Sequence, residues 1–111
     1  MNNKIHDDFI NSIHSCNIIE LVFFSKEDNS NLVRRCIPMD YAISRRDKNK
    51  KLLYHFMDLN SDSGKPHPLR KSLEEIISLK IINEKFYPET FITWDLSKSP
   101  WNIKRDWGKY S

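Results

Sequence analysis

The chemistry-bearing residues of this chain are mainly cations, and they cluster. Between Arg34 and Lys51, RRCIPMDYAISRRDKNKK, seven Lys/Arg stand against Asp40 and Asp47, a local balance of +5 in a chain of formal net charge +3. Residues 1–33 sum to −3 and residues 52–111 to +1, so the positive charge is confined to one strand–turn–strand stretch. Such a belt draws phosphate or carboxylate groups over about one Debye length, ~8 Å at physiological salt. Arg34-Arg35 and Arg45-Arg46 supply planar forks that suit phosphate better than lysine does. In a strand, neighbours face opposite sides, so one arginine of each pair turns toward a groove and the other toward solvent. Tyr41, Tyr54 and His55 lie close in sequence to these charges, and stacking on a base is worth ~1–3 kcal/mol. Arg34, Arg35, Tyr41, Arg45, Arg46, Lys48, Tyr54 and His55 therefore make a candidate site for a nucleotide or single-stranded nucleic acid. The plainer alternative is a solvated hairpin whose lysines keep an edge from aggregating.

Other chemistries lack their residues. Gly64 and Gly108 are the two glycines, which excludes a P-loop or a dinucleotide fingerprint. Histidines and cysteines show no close ligand pair, so no metal and no cofactor is expected. No Asp/Glu-x-Lys triplet of the restriction-nuclease type occurs, and no Ser-His-Asp or Cys-His arrangement can be argued, so catalysis is not expected. Cys16 and Cys36 stand alone, which fits reduced thiols in a cytoplasmic protein. No apolar run approaches the ~20 residues that span a bilayer, and the N-terminus has no apolar signal region.

The positioning elements follow from periodicity. Ile5, Phe9, Ile10, Ile13 and Cys16 form one stripe of a helix over residues 4–16. Ile18–Phe24 is rich in β-branched and aromatic residues and reads as a strand, with Ile19, Leu21 and Phe23 as its buried face because Glu20 shares the other. A polar turn at 26–31 returns the chain as Leu32–Ile37, which Pro38 ends or bends. Tyr41–Arg46 and Lys51–Asp58 form a second hairpin, a loop runs from Asn60 to Pro68, and a last strand lies near Ser78–Ile82. This order predicts a mostly β domain, residues 1–90, built as a small SH3-like barrel of about five strands with an N-terminal helix. Residues 91–111 read as an irregular extension packed on it. Trp94, Trp101 and Trp107 in that extension either close the barrel edge or present a patch to a partner protein.

The pattern resembles a WYL domain over about residues 5–86. FINSIHSCNIIELVFFS is similar to the helix-then-strand opening of that family. RRCIPMDYAI is similar to its R-x-V-x-P-Y-x-L, with Pro38 at the proline. KKLLYHFMDLNSDSG is similar to the strand that carries the Trp-Tyr-Leu triplet, with Leu52-Leu53-Tyr54 near that place. KSLEEIISLKIINEKF is similar to the closing segment, with Ser72 and Glu75 where two arginines usually stand. The resemblance implies a non-catalytic regulatory or sensor module in transcriptional regulation or phage defence, able to serve an effector protein or to oligomerise. The alternative is a protein–protein adaptor using the barrel edge and the Trp-rich tail.

Overall fold

A computed structural model describes residues 3–43, 50–60, 65–94, 96, 98 and 100–111. Helix α1 (Asn3–Ser15) buries Ile5, Phe9, Ser12 and Ile13. It ends at Cys16, whose backbone is left-handed at φ 57. A branched Cβ is costly there, and the end is held by contacts with the last strand. The Lys85 ammonium donates to the Ser15 carbonyl at 2.7 Å, and Phe86 N–H donates to the Cys16 carbonyl at 2.9 Å. A cation on the last carbonyls also matches the negative end of the helix dipole.

Five strands follow: β1 (Asn17–Ser25), β2 (Ser30–Ile43), β3 (Leu52–Asp58), β4 (His67–Lys71) and β5 (Ile76–Lys85). They form one antiparallel sheet in the order β4-β3-β2-β1-β5. The fold is mostly β with an N-terminal helix, as periodicity predicts, and Ile19, Leu21 and Phe23 are the buried face of β1 at 0, 0 and 4 % exposure. They meet Phe9 and Ile13 of α1, Tyr54 and Phe56 of β3, and Leu79 of β5 in one core. Each such side chain contributes about 1.5–3 kcal/mol by leaving water.

The barrel itself is a correction: the sheet is curled but open, with β4 and β5 at opposite edges. Laid flat, the four spacings between those edges would measure about 19 Å. Yet the chain from Lys71 to Ile76 is five steps, at most about 17 Å when extended. It is shorter still here, because Leu73–Glu75 form a 3-10 turn. The sheet must therefore bend, bringing the end of β4 and the start of β5 closer than a flat sheet would. Lys71 of β4 accordingly lies 4.5 Å over the Phe23 ring of β1. No ladder closes the seam, since β4 is five residues long and carries Pro68, and the chain between the edges spends its residues on the corner.

Pro38 neither ends nor splits the second strand. β2 runs through it, past the last β1 partner of the hairpin register at Cys36, so the missing N–H interrupts no bond to β1. The register against β3 shifts between Pro38 and Asp40, with Met39 as the extra residue. The C-terminal segment covers this part of β2. The Asp40 carboxylate accepts from the backbone N–H groups of Asn102 and Ile103 at 2.9 Å each, and from Arg105 at 3.4 Å. Asn102 donates to the Tyr41 carbonyl and Arg105 to the Met39 carbonyl. The Arg105 guanidinium lies 3.9 Å from the Trp101 ring and 4.4 Å from Trp107. Burial lowers its pKa to about 10 although Asp40 pulls it up, so it stays charged at neutral pH.

Candidate functional site

Alternation along the strands sorts the side chains between two faces. Arg34 pairs across from Leu21 and shares the inner, concave face with Phe23, Leu32 and Cys36, whereas Arg35 lies opposite Glu20 on the outer face. On β3 and β4 the inner set is Tyr54, Phe56 and Asp58 with Lys71, Leu69 and His67. Helix α1 plugs one part of the concavity through Phe9, whose ring meets Tyr54 at 4.9 Å and Phe56 at 5.4 Å. The remainder is a groove of about 660 Å³. Its floor is Phe23, Leu32 and Leu69, with Arg34, Lys71, His67 and Lys26 as its basic groups. The β1–β2 turn at Lys26–Asp28 forms its mouth.

The electrostatics within the groove are uneven. Arg34 Nε is 3.5 Å from Asp58 Oδ2, and Lys71 Nζ is 3.7 Å from Glu75 Oε2, both longer than charge-assisted hydrogen bonds. One oxygen of each carboxylate is taken by local groups, and the other faces the cation. Asp58 Oδ1 accepts the Asn60 N–H at 2.8 Å, and Glu75 Oε1 accepts the Ser72 N–H at 3.0 Å and its hydroxyl at 3.1 Å. Burial pushes the Glu75 carboxyl up, but the Ser72 bonds with Lys71 and Lys26 outweigh it and hold it below the usual range. An arginine has five N–H donors and an ammonium three. Among the described residues, most of those of Arg34 and Lys71 are unspent.

The residues expected from sequence do not gather at one place. Arg34 enters the groove, but Arg35 pairs with Glu84 outside it. Tyr54 is 2 % exposed, sealed against α1, with its hydroxyl 2.9 Å from His6 Nδ1. It cannot stack on a base from there, and burial raises its pKa to about 12. Tyr41 is half-buried, its ring 5.1 Å from His6 and 4.4 Å from Tyr54. His55 lies on the outer face, bonded to the Ala42 carbonyl at 3.1 Å, and burial lowers its pKa. Arg45, Arg46 and Lys48 lie outside the described residues. Along β2, Arg35 and Ile43 are eight steps apart, at most about 26 Å when extended.

The tryptophans also part. Trp107 is 6 % exposed and donates from Nε1 to the Ile13 carbonyl at 2.9 Å, which removes it from any partner surface. Trp101 is half-buried, donating to the Tyr110 carbonyl, and Trp94 is 36 % exposed with its ring 5.7 Å from Trp101.

Sequence reasoning missed Lys71, His67, Asp58 and Glu75. The signal for two of them was the alternation His67, Leu69, Lys71, which Pro68 hid by marking the stretch as loop. No group of three metal-ligating side chains occurs among the described residues, and no helix there is long and apolar enough to cross a membrane. Cys16 and Cys36 are unbonded.

No family model matches this chain, and neither a curated protein nor a solved structure does.

Proposed function

We propose that this chain is a non-catalytic recognition module that holds the anionic group of a ligand, a nucleotide or single-stranded nucleic acid, between Arg34 and Lys71. One observation carries the reading. Among the described residues, two cations on the concave face keep most of their donors unspent, and each neighbouring carboxylate, 3.5 or 3.7 Å away, has its second oxygen committed to local groups. An entering phosphate or carboxylate therefore gains charge-assisted bonds without stripping a stabilising ion pair of its geometry. The volume and apolar floor match those of small-ligand sites, ~300–1,000 Å³. The resemblance to WYL domains agrees with a regulatory or sensor role, on fold-level analogy alone.

Isothermal titration with inorganic phosphate and with thymidine 5′-monophosphate tests it, comparing wild type with Lys71→Gln and Arg34→Gln. Loss of one charge-assisted contact should weaken the monophosphate about tenfold or more, for 1.5–3 kcal/mol per contact. Equal binding by all three proteins, or none by wild type, rejects the groove. The adaptor reading keeps one observation of its own: Trp94 and the 60 % exposed Tyr87 lie on the surface near the tail.

A further inference from the structure

The groove's ligand class follows from the charges around Arg34 and Lys71, and this step rests on the groove reading above. We infer that the groove takes a compact ligand with a single terminal anionic group on an apolar body, and that it is built against a passing polyanionic strand. Three cations line it, Lys26, Arg34 and Lys71, against four carboxylates, Glu27, Asp28, Asp58 and Glu75. The carboxylates of the lining outnumber its Lys and Arg side chains by one. Within the groove those carboxylates oppose a run of phosphates locally, so binding comes from the donors within reach of one anionic group. The acids are also placed unevenly. Asp58 and Glu75 sit beside the two cations, whereas Glu27 and Asp28 form the exposed turn at the mouth.

Asp28 is held there by the Ser25 hydroxyl, which donates to it at 2.8 Å while accepting the Asp28 N–H at 3.3 Å. An isolated phosphate or carboxylate can reach Arg34 and Lys71 with its apolar body on Phe23, Leu32 and Leu69. A strand that leaves over this turn carries its next phosphate past the held carboxylate of Asp28 and the neighbouring Glu27. Like charge set against the competing ligand is a recognised source of specificity.

The test compares thymidine 5′-monophosphate with an oligothymidylate, with and without its 5′-phosphate, by competition titration at two salt concentrations. The 5′-phosphorylated oligomer should bind wild type about fivefold or more weakly than the monophosphate, and removing its terminal phosphate should cost about a further tenfold or more. In Glu27→Gln/Asp28→Asn, which keeps an acceptor for Ser25, the oligomer should gain about fivefold or more while the monophosphate changes less than about twofold. An oligomer that binds wild type more than about tenfold tighter than the monophosphate, with a salt slope of several phosphates, overturns the inference. If Lys71→Gln still abolishes monophosphate binding in that case, the groove reading survives alone. If the monophosphate never binds, or Lys71→Gln leaves its affinity unchanged, both fall together.

Discussion

Replacing Arg105 with Met should unfasten the C-terminal segment and cost the fold a large part of its stability. The Arg105 side chain is fully buried and Asp40 is 11 % exposed, so solvent screens this pair little. The guanidinium also donates to the carbonyls of Met39 and Ile103 and lies between Trp101 and Trp107. Methionine keeps much of the volume but none of the donors. Breaking a buried charge pair by removing one partner costs about 3–5 kcal/mol. The lower end applies here, because Asp40 retains the backbone N–H groups of Tyr41, Asn102 and Ile103. An unfolding entropy of ~2.1 cal/mol/K per residue gives about 0.23 kcal/mol/K for the 111 residues, so about 3–4 kcal/mol lowers Tm by about 13–17 °C. Circular dichroism melts with parallel indole fluorescence would measure it, the emission red-shifting as Trp101 and Trp107 meet water. The doubly substituted Asp40→Asn/Arg105→Met should be better than additive by about 1–3 kcal/mol. A Tm loss below about 4 °C with unchanged emission would refute the role given to this pair.

The remaining expectations concern titration and reactivity. His55 is pushed down chiefly by burial, so the fold prefers it neutral. The stability it contributes is complete above its unfolded pKa near 6.5 and is lost as pH falls through the depressed folded value. The urea midpoint should therefore be lower at pH 5 than at pH 7.5, with His55→Asn narrowing the difference; a difference that persists undiminished in the variant assigns it elsewhere. Cys36 is 0 % exposed, and burial, with Asp58 adding to it, raises its thiol far above the ordinary value. A thiol-reactive chromophore at pH 8 should label Cys36 only as fast as the protein unfolds, and rapid labelling in the native state would contradict the core assignment.

Much of the scaffold was legible in the sequence because period and burial agree there. Ile5, Phe9 and Ile13 repeat at helical spacing, and Glu20 settles which face of β1 is buried. Openness of the sheet was not legible, since it turns on whether two edges at a five-step corner form a ladder, and Pro68 bears on that only once β4 is known to be an edge strand. Pro38 misled because a proline stops a strand only where its N–H is needed, and that need depends on where β1 ends. The site was half legible. Arg34 and Arg35 divide between faces as adjacent strand residues must, but the cation that joins Arg34 comes from β4, about forty residues further on. Only the curl of the sheet brings Lys71 over Phe23. Tyr54 shows the opposite failure: proximity in sequence to a basic run says nothing about which face of the strand a helix covers.

The central claim is that the concave groove, and not the basic hairpin, meets the ligand's anionic group. Amide chemical-shift mapping of ¹⁵N-labelled protein with thymidine 5′-monophosphate tests this most directly. Saturable shifts should concentrate at Phe23, Arg34, His67, Leu69 and Lys71, with Arg35, Lys50 and Lys51 unmoved and the groove shifts absent in Lys71→Gln. Shifts centred on Lys50 and Lys51, with the groove amides silent, would contradict it.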